Sequence, residues 1–354
     1  MKSFFISTFL FIVALSCSLQ SCNSSDSPDD FTGTVFPSDP NTFYVIGYEK
    51  DKDKNIIYKY WVDGKEHIVE THGKLAEFKA IAASGGNVYV CGKLANESGQ
   101  TRATLWTNGV AKTLAEGSGN TNAYKVRVEG SDVYVAGFDV VDGKASPAVW
   151  KNGTRMLLNF NSSVGAGANA LYVKNGISYA AGFEHPAKPV YWINAEPKYI
   201  PLGDYDSFVM KDAFVSGADV YSAATVFKNT FRAHVWKNSA PMNLTLGTGA
   251  SSAESVYVYG SDVYVTGGEV GSDNFNYGIV WKNGVPSKLQ SDTNSLQPVS
   301  IYVLNGDVYV LANKLLKDGG GKKGIVIFKN GKEFTTLTSK LNDAEGYDMM
   351  VVAK

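Results

Sequence analysis

Few residues of this chain have the types and spacing that catalysis needs. The four histidines are His67, His72, His185 and His234. None stands at the His-x-x-x-His or Cys/His spacing of a zinc site. No Gly-x-Ser-x-Gly elbow, phosphate loop or dinucleotide fingerprint occurs in a fitting context. Asp51-Lys52-Asp53-Lys54-Asn55 has the alternating oxygens of a calcium loop, but it lacks the turn Gly and the distal Glu, and its lysines oppose a cation. A solvated loop is expected there, and no metal or cofactor anywhere. Glycoside hydrolysis needs two carboxylates that meet in space, and spacing along the chain nominates no pair. Cys91 takes the place that Ala136, Ala181 and Thr266 hold in parallel phrases, so a small buried residue is expected rather than a nucleophile.

What remains is the chemistry of binding. Phe138 and Asp139 share one stretch, Phe183, Glu184 and His185 a second, and Asp273, Phe275 and Tyr277 a third; Tyr48 sits where Phe138 and Phe183 sit. Rings beside carboxylates and amides can stack on sugars while fixing hydroxyls. The alternative for Tyr48, Phe138 and Phe183 is packing at a strand end. Asp204 and Asp206, in Gly-Asp-Tyr-Asp-Ser, are candidates for a central mouth or else part of a solvated loop. The basic stretch from Lys314 to Gly324 reads as a flexible loop, with an anionic glycan or partner as the other possibility.

A repeat must position these loops. A Val-Tyr-Val-x-Gly strand recurs at Tyr44, Tyr89, Tyr134, Tyr179, Tyr221, Tyr264 and Tyr309, at intervals of 42 to 45 residues. A hairpin phrase, Trp-Lys-Asn-Gly in its full form, follows each at Trp61, Trp106, Trp150, Trp192, Trp236 and Trp281, with Phe328 seventh; these are all 6 tryptophans of the protein. Short strands in a repeat of this length predict a β-propeller of four-stranded blades. Blade six displays the four strands, A to D: Ser-Val-Tyr-Val-Tyr-Gly, Asp-Val-Tyr-Val-Thr-Gly-Gly-Glu, Tyr-Gly-Ile-Val-Trp-Lys and Val-Pro-Ser-Lys-Leu-Gln. Asn283-Gly284 suits a type I′ turn, because both positions need φ > 0. Asn194-Ala195 and Asn238-Ser239 break that phrase and predict an altered or strained turn. Trp should pack between blades.

From each Trp to the next Tyr the distance is 28 or 29 residues, but after Phe328 the chain stops at Lys354. The tail Gly-Tyr-Asp-Met-Met-Val-Val therefore reads as strand A of the blade that begins at Tyr44. The expectation is all-β: a seven-bladed propeller over residues 41–354, closed by its C-terminal strand. From Tyr to Trp the spacing varies between 13 and 19 residues, which confines length variation to the B–C loops. Those loops share a face with the D–A crossovers, and variable loops on a rigid ring suggest a binding face.

The first residues, Met-Lys-Ser then an apolar run from Phe4 to Leu15, read as a signal peptide, residues 1–21, too short for a permanent span. Leu19-Gln20-Ser21-Cys22 resembles the lipobox of bacterial lipoproteins, which implies lipid on Cys22; Ala14-Leu15-Ser16-Cys17 competes, and plain cleavage without lipid is the third reading. Residues 22–40 are polar, acidic and without periodicity, as a disordered tether is. An acidic stretch after the lipid Cys resembles surface-export signals of Bacteroidetes lipoproteins. From about Phe43 on, the chain resembles seven-bladed propeller lipoproteins of Bacteroidetes, and Ala233–Gly249 is similar to extracellular HAF-type repeats. Those resemblances imply a cell-envelope protein, anchored in the outer membrane on its periplasmic or cell-surface side, and no settled activity.

With 33 Lys and Arg against 34 Asp and Glu, no basic field exists for nucleic acid or an anionic membrane. The expected function is a monomeric, lipid-anchored propeller binding a glycan or protein through the B–C loop face. A glycan-active hydrolase or lyase with acidic groups at the channel mouth, or a scaffold subunit of an envelope complex, are the alternatives.

Overall fold

The computed structural model describes residues 36–293, 295–317, 320–338 and 342–354. The signal peptide, Cys17, Cys22 and most of the acidic tether lie outside the described residues. From Asn41 onward the chain forms a seven-bladed β-propeller, seven separate four-stranded antiparallel sheets. The innermost strands, A, are Ala344–Ala353 in blade one, then Ala76–Ser84, Asn122–Glu129, Ala166–Lys174, Ser207–Ser216, Ser255–Tyr259 and Leu296–Leu304. Ala344–Ala353 pairs antiparallel with Asn41–Lys50, so the C-terminus completes the first blade. Phe36, at the end of the tether segment, packs 5.2 Å from the Phe43 ring, and Pro40 accepts a hydrogen bond from the Lys354 amide at 3.0 Å.

All six tryptophans and Phe328 are fully buried. The core consists of seven clusters, each built from two neighbouring blades. Trp281, for example, lies with Tyr221 and Val235 of the preceding blade, and its indole N–H donates to Thr245 O at 2.9 Å. Flat rings thus fill the space where two twisted sheets meet face to face.

The rest of the hairpin phrase also has a role. In blade six Lys282 lies 2.8 Å from Asp262 and 5.4 Å from the Tyr264 ring centre. Asn283 Oδ1 accepts from the Val263 amide at 2.8 Å, while its Nδ2 donates to Asp262 at 2.7 Å. Lys and Asn thereby tie the C–D turn to the start of strand B; blades three, five and seven repeat the arrangement through Lys151, Lys237 and Lys329. Asn283 and Gly284 both have positive φ, as a type I′ turn requires. Of the two broken phrases, Asn194-Ala195 keeps positive φ at Asn194 alone, and in the other Ser239 is forced to φ 71°.

Candidate functional site

In five blades the repeated strand ends in a Gly that answers to a close approach; Ala224 and Ala312 stand there in blades five and seven. A Cβ on Gly137 would stand 2.1 Å from Asn122 O, and one on Gly182 1.9 Å from Gly167 O. The carbonyl comes so near because strand A carries a β-bulge there, as between Ala123 and Lys125 and between Ala168 and Ala170. A bulge re-aims one side chain out of the pleat. Here it turns Lys79, Tyr124, Asn169, Lys211, Val299 and Tyr347 into the central channel, where Glu254 of blade six joins them around a mouth of about 480 Å³. This mouth opens on the face of the B–C loops and D–A crossovers.

One step further along strand A, the channel is closed. The residues there, one per blade, are Ala80, Lys125, Ala170, Asp212, Ser255, Ser300 and Asp348. Lys125 crosses above the two small alanines, with its ammonium 3.2 Å from Asp348 and 3.6 Å from Asp212. Ser255 donates to Asp212 at 2.7 Å and Ser300 to Asp348 at 2.8 Å. Both carboxylate side chains are only 4 % exposed. Buried charges of this kind persist when paired and hydrogen-bonded, and the belt gives the mouth a solid floor.

Charges around the mouth are paired as well. Lys211 lies 2.9 Å from Glu254 and Lys323 2.5 Å from Glu345. Burial disfavours ionisation of Glu77, but hydrogen bonds from Lys79 and Lys93 outweigh it and hold that carboxyl below its usual range. Burial pushes the Tyr124 and Tyr347 phenols up, so both remain hydrogen-bond donors.

The loop residues expected to bind stand mostly behind or outside this mouth. Tyr48 lies 6.0 Å from the Tyr347 ring and Phe138 6.2 Å from that of Tyr124; Phe183 covers Gly167. All three are half-buried supports for the bulged side chains. For Tyr48, burial first and then Glu345 and Asp343 raise the phenol pKa to about 12.

Asp139 and Glu184 are fully buried and bonded within the protein. Asp139 accepts from the amides of Glu116 at 3.0 Å and Gly117 at 3.2 Å and pairs with Arg155. Burial opposes its ionisation, yet these bonds hold its pKa below the usual carboxylate range. Glu184 accepts from the Asn161 amide and the Tyr199 hydroxyl. Glu49 and Glu269, in the same place of blades one and six, hold Asn342 and the Gly247 amide. These carboxylates pin the D–A crossover arriving from the blade before. Blade seven reverses the charges, with Lys314 2.6 Å from Asp292 of its crossover.

His185 is exposed and edges onto Phe183. Asp204 and Asp206 are exposed on their crossover and do not line the mouth. Asp273, Phe275 and Tyr277 form an outer loop, in which the Tyr277 hydroxyl donates to Asp273 at 2.5 Å and Lys288 stands 3.6 Å over the Tyr277 ring. The mouth residues themselves escaped sequence reasoning. Their signal was the strand A column Lys, Tyr, Asn, Lys, Glu, Val, Tyr, variable beside an apolar column of Ile81, Val126, Leu171, Ala213, Val256, Ile301 and Met349.

Ring, mouth and floor together make a rigid scaffold of the kind that hosts binding sites and active sites alike. No protein-family model matches the sequence, and no curated protein matches it. Solved structures do resemble it. A Mycobacterium tuberculosis puromycin-hydrolyzing peptidase aligns with TM-score 0.55 and 9 % identity over 84 % of this chain and 53 % of its own, so the present chain spans about half of that protein. The β-propeller domain of the Trilobed protease from Pyrococcus furiosus, described as having an open velcro topology, aligns with TM-score 0.51 and 11 % identity over 86 % of this chain and 94 % of its own. At such identities the likeness is one of fold.

Proposed function

We propose that this chain is a lipid-anchored extracytoplasmic binding protein that takes a glycan or protein ligand at the mouth beside its B–C loops. The observation that carries the reading is a mouth lined by one side chain from each blade, of no common type, above a floor whose two carboxylates are already engaged. A hydrolase needs a carboxylic acid and a partner carboxylate free to work on substrate. Here Lys125, Ser255 and Ser300 occupy Asp212 and Asp348. Tyrosine rings and hydroxyls, an amide and paired ions instead form an adaptable polar surface with aromatic anchors.

Glycan-array binding by the full chain, with product assays on the same polysaccharides, tests this. Binding without turnover is expected, and Tyr124→Ala or Lys211→Ala should weaken it about tenfold or more. Release of product would replace the binder with an enzyme. For the anchor, a labelled fatty acid should enter the wild type and not Cys22→Ala; label retained in that variant would move the site to Cys17.

A further inference from the structure

Beyond the ionic floor, on the side of the A–B and C–D turns, lies a second chamber. It is a dead end of about 190 Å³. Four consecutive blades line it with aromatic rings, from Tyr172 to Phe214, Tyr257 and Tyr302, whose centres are 4.5, 4.6 and 4.8 Å apart. Successive rings are inclined by 47°, 50° and 46°, close to one seventh of a turn, so each blade presents its ring in the same pose. That spacing over a seventh of a turn sets the rings about 5 Å from the channel axis. They form an arc, open on the side of Arg127 and Met350.

The guanidinium of Arg127 has capacity to spare here. Arg127 donates to its neighbour's carbonyl, Val126 O, at 3.2 Å and reaches Asp212 only at 3.8 Å, with its side chain 28 % exposed to the chamber. Asp212 accepts from Ser255 and the Val256 amide through Oδ2, while its buried Oδ1 has no hydrogen-bond partner. A buried carboxylate oxygen without a donor is costly. The Lys125 ammonium, at 3.6 Å, compensates its charge but stands too far for a hydrogen bond.

We infer that this chamber is a second binding site, for one carboxylate-bearing pyranose at the end of an acidic glycan. A cavity near 150 Å³ holds a single benzene ring, so this one fits one substituted six-membered ring. The closed floor stops a chain from threading through, which admits only a terminal residue. The aromatic wall suits the C–H groups of a sugar, Arg127 offers a fork of donors for a carboxylate, and Tyr172, Tyr257 and Tyr302 bring hydroxyls that suit a polyol. An aromatic acid would satisfy the rings and Arg127 but offer the tyrosine hydroxyls no partner.

Titration calorimetry of the full chain with glucuronate, galacturonate, glucose and benzoate tests the assignment. One of the uronates should bind saturably and at least tenfold more tightly than glucose or benzoate. Arg127→Gln and Tyr302→Phe should weaken it about tenfold with the melting temperature kept, and Arg127→Lys should recover only part of the loss. Lys211→Ala, in the opposite mouth, should leave uronate affinity unchanged, so failure of this site and of the mouth read separately. No saturable uronate binding at ~10 mM, equal or tighter binding of glucose or benzoate, or indifference to Arg127→Gln each overturns it.

Discussion

Single side chains in this molecule have their roles set by the repeat more than by their own type. Ser239 holds the place that Gly holds in the intact hairpin phrase, at φ 71°, where a Cβ is strained. Ser239→Gly should therefore raise stability by about 1 kcal/mol, measured by chemical denaturation. His234 is half-buried between Tyr205 and Trp236, and that burial lowers its pKa to about 4. The unfolded chain titrates near 6.5, so between these values it binds more protons than the native form. This part of the stability is complete above pH 6.5 and is lost as pH falls toward 4. In His234→Phe, which keeps the ring without the proton, the melting temperature should fall less steeply over that interval; an unchanged slope would exclude the histidine as its source. Asp139 and Glu184 show how little a residue type says without its partners. An acid beside an aromatic suggests a ligand contact, but the same place in blades one and six holds Glu49 and Glu269. A carboxylate repeated around a ring is more simply scaffold than site.

At the level of strands and loops, the sequence displayed nearly all the architecture. Tyrosine and tryptophan recur because interfaces between twisted sheets need the same bulk at the same place, so the period was plain. The bulge was not, since the side chains it delivers differ from blade to blade and share no letter. Its trace was the glycine across from it in blades one to four, visible as a motif without its cause, whereas Ala224 and Ala312 face the bulges of blades five and seven. Gly137→Ala would drive a methyl into Asn122 O and should cost more than about 2 kcal/mol. The same variant should weaken ligand binding at the mouth, because flattening the bulge withdraws Tyr124. Retained stability and affinity together would show that the glycine has another purpose. Crossovers likewise gave no linear signal: Arg232 holds Gly247, Thr248 and Gly249 through their carbonyls, and backbone partners leave no mark on residue type.

For the whole molecule, closure was foreseeable from an interval cut short at Lys354. The last strand supplies blade one with its inner edge and places Asp348 in the floor. Removing residues 344–354 opens the ring and leaves Lys125 without one of its two carboxylates. That truncation should lower the melting temperature by more than ten degrees, or leave an aggregating chain, because it strips the interface with blade seven of buried Met349 and Val351 and that with blade two of Tyr347. A truncated chain that melted like the intact one would mean that blade one is dispensable.

The belt of Lys125, Asp212 and Asp348 has one more consequence. A wheel with a solid hub is no conduit but a two-sided dish, and Lys125 and Asp348 line both of its hollows. Were both proposed sites filled, two unlike molecules would lie back to back across that belt, and a charge bound on one side would be felt on the other.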